Sequence, residues 1–179
     1  MSDTLITVVG IALVAVLLFV FPVMTMSDRY DDVSKTEVEA LTSSFVSEIT
    51  STGKLTQEKY SKFEENLTST GNTYDIEMEF KILDENPGKK TTQTAKDKIG
   101  ENVYYSVYTS QIEEILEDKE NKNTYTLKEG DIINITVKNT NLTLSEQLKN
   151  FMYKITGNDT YTINTSQGGM VTTNGKAVN

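Results

Sequence analysis

Residues 1–33 read MSDTLITVVGIALVAVLLFVFPVMTMSDRYDDV. From Leu5 to Met26 no side chain is charged, and only Thr7, Gly10, Pro22 and Thr25 interrupt the apolar run. A helix rising about 1.5 Å per residue would carry this run across roughly 33 Å, enough for a hydrocarbon core of about 30 Å. A secretory signal has a basic leader, a shorter apolar stretch and a small-x-small cleavage site. Here Asp3 is the charged residue ahead of the run, and Pro22, Val23, Met24, Thr25 and Met26 close it without such a triplet. The segment therefore reads as a retained transmembrane helix. Pro22 removes one backbone donor near its outer end, which helices in lipid tolerate as a kink.

Working outward, the next stretch is DDVSKTEVEALTSSFVSEITSTG. Val38, Leu41, Phe45 and Ile49, with Val46 beside them, recur at spacings of three and four and share one helical face. Two readings stand. Ser34 and Glu37 fit a capping box that would start a separate helix. Alternatively, one unbroken helix runs from the membrane to about Thr52, since neither Gly nor Pro separates Met26 from Gly53. In either case Gly53 suits a helix C-cap. The chain divides into an anchor with its juxtamembrane segment, 1–33, and a head, 34–179.

The head alternates between two periods. LTQEKYSKFEENLTSTG predicts a helix capped by Thr56, with Tyr60, Phe63 and Leu67 on one face and Gly71 past its end. YDIEMEFKIL predicts a strand: Tyr74, Ile76, Met78, Phe80 and Ile82 alternate with Asp75, Glu77, Glu79 and Lys81. ENPG ends it as a turn, and residues 87–98 read as an exposed loop. Val103–Tyr108 is ambiguous between strand and helix, and Ile112, Ile115 and Leu116 mark a helix after it. Ile133, Ile135 and Val137 mark another strand. Thr143 and Glu146 form a capping box ahead of a stripe of Leu144, Leu148, Phe151 and Ile155. The closing segment reads as two short strands turning at Gly168 and Gly169. The fold class is α+β: a transmembrane helix with an amphipathic continuation, then a small antiparallel sheet with helices packed on one face.

Composition excludes several chemistries. The 179 residues carry a formal net charge of -9, which repels phosphate backbones and argues against nucleic-acid binding. There is no Cys and no His, hence no disulfide, no zinc–thiolate site, no Ser-His-Asp triad and no imidazole base. No Walker A, G-x-G-x-x-G, G-x-S-x-G or EF-hand pattern occurs. Asp75, Glu77 and Glu79 lie in a row at period two, as on a solvated strand face. The Asn-x-Ser/Thr triplets at Asn66, Asn134, Asn141, Asn158 and Asn164 reflect the Asn- and Thr-rich composition. No cofactor, metal, catalytic residue or small-molecule substrate is expected. The positive-inside rule finds only Arg29 and Lys35 close to the apolar run and decides little.

The apolar helix, the proline in its last turns, the amphipathic continuation and the α+β head together resemble type IV pilins and pseudopilins. ITVVGIALVAVLLFVFPVMTMSDRYDDV leading into SFVSEITSTGKLTQEKYSKFEENLTSTGNTYDIEMEF is similar to the short TadE-like proteins of Gram-positive bacteria. These are associated with tight-adherence (Tad) pilus and type II secretion-like gene clusters. The resemblance covers about the first 85 residues and, in general layout, the rest. It implies an outward-facing head, a non-enzymatic role, and partners that are the membrane, other pilin-like subunits and an assembly platform. On that reading Asp3 matches the family's near-N-terminal carboxylate. Gly10, Ala12 and Ala15 are small residues that let stems approach closely, and Pro22 shapes the stem. Phe80→Asp tests the strand assignment: a charge on the apolar face should cost several kcal/mol, read as a fall in the thermal midpoint. An unchanged midpoint would show the faces misread.

Overall fold

The computed structural model describes residues 2–84, 104–153 and 163–175. Helix α1 (Ser2–Ala15), a π-helical turn (Val16–Val20) and helix α2 (Phe21–Thr52) follow one another without a break. Asp3–Thr52 thus forms a helical rod of 50 residues, about 75 Å long. The wide turn lies immediately before Pro22, whose ring nitrogen cannot donate to the carbonyl four residues back. Thr7, Thr25, Ser27, Thr36 and Thr42 each donate a hydroxyl to the carbonyl four residues earlier, so these polar side chains are satisfied within the rod. Of the two readings for the continuation, the unbroken helix holds. Ser34 is buried mid-helix rather than acting as a cap. Gly53 ends the rod with φ +63°, its N–H donating to Ile49 O at 2.8 Å.

Strand β1 (Lys54–Thr56) and helix α3 (Gln57–Ser69) come next, with Thr56 Oγ1 capping α3 by accepting from Lys59 N–H. Then follow β2 (Tyr74–Leu83), β3 (Tyr104–Tyr108), α4 (Thr109–Glu117), β4 (Thr124–Thr126), β5 (Ile132–Asn139), α5 (Leu144–Tyr153) and β6 (Asn164–Met170). Four strands form an antiparallel sheet in the order β3-β2-β5-β6, and β1 pairs with β4 in a second, two-stranded sheet. The ambiguous tyrosine-rich stretch is therefore a strand. In register, Met78 faces Ile135 and Phe80 faces Ile133, so the alternation seen in β2 and β5 builds one buried apolar face. The opposite face holds Asp75, Glu77 and Glu79. There Lys138 Nζ meets Glu77 Oε1 at 2.6 Å and Ser106 donates to Glu79 Oε1 at 2.8 Å.

The expected hairpin at Gly168 and Gly169 is corrected: β6 runs straight through both. A Cβ on Gly169 would lie 3.0 Å from Thr50 Cγ2 and 3.4 Å from Val46 Cγ1, and one on Gly168 would lie 3.0 Å from Ile133 O. Gly169 serves close approach of α2 to the sheet and Gly168 lies close to the backbone of β5; neither makes a turn. The amphipathic stripe of α2 is spent here. Val38, Phe45, Val46 and Ile49 join Met78, Phe80, Ile133, Ile135 and Val137 in one buried cluster with Tyr60, Phe63, Leu67, Ile112 and Leu116. Phe45 and Phe63 stack with centroids 4.1 Å apart. Each fully buried side chain of this size contributes about 1.5–3 kcal/mol. The loop expected at 87–98, and Ile155, lie outside the described residues.

Residues 172–175 lock the rod's end. Thr172 N–H donates to Thr50 O (2.9 Å), Leu127 N–H to Gly53 O (2.8 Å) and Gly175 N–H to Leu127 O (2.9 Å). A turn at 128–131 is held by Asp131, whose carboxylate accepts from Leu83 N–H (2.8 Å) and Lys128 N–H (2.7 Å). Two tyrosines tie helices and sheet together. Tyr60 is pushed well above its ordinary value by burial and by its 2.9 Å hydrogen bond to Glu113. Tyr125, in edge contact with Phe80, is pushed up to about 12 by burial and then by Tyr105 and Asp131. The unfolded chain releases both protons near 10.0 while the fold retains them. Stability from this source is therefore full below pH 10.0 and declines as pH rises beyond it. Alkaline melts of Tyr60→Phe and Tyr125→Phe should each show a shallower decline than wild type.

Candidate functional site

The residues singled out on the stem lie on a helix that the head leaves uncovered. Leu5 to Phe19, and Phe21, keep their large side chains exposed, and none of the most apolar 18-residue window is buried within the chain. The chain thus carries one N-terminal helix long and apolar enough to cross a membrane. Asp3 sits in the first turn of α1, where the partial positive charge of the helix end favours a carboxylate. Gly10 is open, with nothing within 4 Å of an added Cβ. At about 100° per residue, Gly10 and Ala12 point about 200° apart, while Ala12 and Ala15 lie within about 60° of each other. Gly10 therefore marks one side of the stem and the two alanines another. Pro22 lies at the junction between the wide turn and α2.

Where the apolar run ends, the head meets the stem through polar contacts that the sequence did not announce. Ser27, Asp31 and Ser34 occupy the buried stripe of α2 ahead of Val38. The division expected at residues 33 and 34 falls inside this continuous helix, and head contacts reach back to Ser27. Thr143 donates to Asp31 Oδ2 at 2.7 Å, and Ser145 donates to Asp28 Oδ1. Thr143 and Glu146 form the expected capping box: Thr143 N–H to Glu146 Oε2 at 2.8 Å and Glu146 N–H to Thr143 Oγ1 at 3.1 Å. The stripe expected along this helix needs correcting at its start. Leu144 is exposed, while Ser145 and Glu146 are buried, because the stem presents Asp28 and Asp31 to this end of α5.

Beside these contacts lies a cleft of about 630 Å³, lined on the stem by Val23, Met26, Tyr30 and Asp31 and on the head by Asn72 and Asn141–Leu144. Tyr30 donates to Thr70 O at 2.8 Å and closes one wall. Gly71 turns there at φ +86°, and a Cβ on it would lie 2.8 Å from the Tyr30 oxygen. Asn141 Oδ1 accepts from Thr73 N–H (2.9 Å), and its amide donates to Asn72 Oδ1 (3.0 Å). One cue to this region was present. Leu142 precedes the N-cap, yet the position four into the helix is Gln147, so no hydrophobic staple can hold it.

Elsewhere among the described residues, no group of three or more Asp or Glu side chains comes together in a metal-binding arrangement. The junction is testable through Thr143, which both caps α5 and bonds Asp31. Thr143→Val should lower the thermal midpoint of the full chain in detergent, by about 1–3 kcal/mol in stability, whereas Thr143→Ser should stay near wild type. Comparison with known proteins finds no matching family model, no matching curated protein and no matching solved structure.

Proposed function

We propose that the chain is a structural subunit of a pilin-like assembly, of the minor-pilin or pseudopilin kind, in a Tad pilus or type II secretion-like apparatus. Its head lies outside the cell membrane and its role is non-enzymatic. The observation that carries this reading is the unbroken helix Asp3–Thr52, apolar and uncovered in its first half and built into the head in its second. Such a rod transmits position from the bilayer to the head with no flexible joint, as a subunit drawn out of a membrane by a platform requires. A long helix laid over a four-stranded antiparallel sheet also agrees with the resemblance of the sequence to pilins.

A tethered surface domain that binds an extracellular ligand is the second reading. It is favoured by one fact: Val38, Phe45, Val46 and Ile49 of the α2 stripe are buried in the chain's own core, with Leu41 partly buried against it, so the stripe is not reserved for neighbouring stems. Association would then rest on the uncovered α1 surface, where lipid offers no hydrophobic driving force and close packing must supply the attraction. The absence of native cysteine makes a direct test clean. A single cysteine at Leu13, about 60° around the helix from Gly10, should form adducts with itself or another pilin-like subunit in cells expressing the whole gene cluster. Gly10→Leu should diminish the adducts while membrane levels stay constant. If no stem position crosslinks, the helix is an anchor alone and the tethered-domain reading takes its place.

A further inference from the structure

The cleft at the junction has three properties that the assembly role leaves unused. Its walls are apolar and exposed: Met26 is 70% exposed, Leu142 56% and Leu144 58%. Its depth is defined by the stem, because Val23 and Met26 belong to the last turns of the uncharged run and Asp28 is the first charge beyond it. Its polar wall carries a donor without an acceptor. Asn72 is 6% exposed, and its Nδ2 is the buried side-chain polar atom that finds no hydrogen-bond partner among the described residues. The orientation of that amide is set by a chain of bonds. Thr73 N–H fixes Asn141 Oδ1, which turns the Asn141 amide toward Asn72 Oδ1 and leaves Asn72 Nδ2 over. A buried amide donor left unpaired costs about 1–3 kcal/mol, so an acceptor supplied from outside would be favoured.

We propose that this cleft seats a glycerolipid of the bilayer that the stem crosses, with Leu142 and Leu144 dipping below the headgroups and Asn72 Nδ2 donating to an ester carbonyl oxygen. Continuity with the membrane-spanning surface argues for this occupant. The apolar surface of Val23 and Met26 runs from the span into the cleft, and Tyr30 sits beside it at the level where amphipathic aromatic rings partition. Asp31 lines the same cleft, so a neutral ester oxygen suits it better than an anionic phosphate. The volume falls within the roughly 300–1,000 Å³ typical of small-molecule sites, enough for part of an acyl chain and its ester. The head would then rest on the bilayer as well as hang from it.

This inference rests on the membrane-spanning reading of the helix and not on the assembly reading. The test uses the full chain reconstituted in phosphatidylcholine vesicles, with single cysteines at Leu13, Leu144 or Glu117 carrying an environment-sensitive fluorophore. Bromine near the carbonyl end of the acyl chains should quench the Leu144 label, bromine deep in the chains should quench the Leu13 label, and neither should quench the Glu117 label. Quenching at Leu13 without quenching at Leu144 overturns the inference and leaves the span standing. Absence of quenching at both overturns the span and the inference together. Disulfide-linked dimers through Leu144 with no quenching would show that a second protein copy fills the cleft, and would also overturn it. A phosphatidylcholine bearing a photoactivatable group near its ester should label the wild-type chain. Asn72→Asp, which exchanges the donor for an acceptor, should lose most of that labelling with the circular dichroism spectrum unchanged. Should Asn72→Asp misfold, Leu144→Gln serves instead and should lose labelling in the same way. Labelling that persists undiminished in the folded variant overturns the assignment.

Discussion

Everything in this molecule hangs on the continuity of one helix. Backbone hydrogen bonding passes from the uncovered apolar run into the centre of the head without a loop between them. Gly and Pro are absent from the thirty residues after Pro22, and serine and threonine hydroxyls bond back to carbonyls of the same helix. The interrupted position, Pro22, is accommodated by a widened turn and not by a break. The head is therefore not a bead on a string. Its long helix is continuous with the apolar run, and the orientation of the sheet relative to that run is set by which face of the helix is buried.

That buried face changes character along its length, which explains how the head is held. Toward the end of the rod it is apolar, with Val38, Phe45, Val46 and Ile49 packed against the sheet and α3. Nearer the apolar run it is polar, with Ser27, Asp31 and Ser34, and hydroxyls of Thr143 and Ser145 answer the carboxylates of the stem. An apolar seam there would merge with the exposed apolar surface of the stem and leave the register between stem and head poorly defined. Buried hydrogen bonds accept fewer alternatives than hydrophobic contact. The polar junction thus specifies where the head sits, while the apolar seam supplies most of the stability.

Much of this was legible from periodicity. The alternation in YDIEMEFKIL located β2 with its faces, and the three-and-four spacing of Tyr60, Phe63 and Leu67 located the buried side of α3. Two capping signals had opposite fates. Thr143 and Glu146 form their box because a loop precedes them; Ser34 and Glu37 do not, because helix already precedes them and no residue there breaks it. Gly168 and Gly169 read locally as a turn, yet both lie within a strand, where the approach of Thr50 and Val46 explains Gly169 as a small residue. The polar junction and the cleft were hidden for the same reason. They join Asp31 to Thr143, 112 positions apart, and one unaligned sequence carries no trace of such pairings.

The closing of the rod's end by residues 172–175 has a consequence for biogenesis. Thr172 bonds the carbonyl of Thr50 across 122 positions, and β6, which receives the long helix, is the last strand among the described residues. During synthesis the amphipathic face of α2 emerges early, but the strands that cover it arrive only with the C-terminal third. Contacts of such sequence separation form slowly, because a large loop must close before they are gained. The core therefore cannot be completed until β6 is in place. Folding is thereby placed in a fixed order, with the apolar face of α2 left open until β6 covers it.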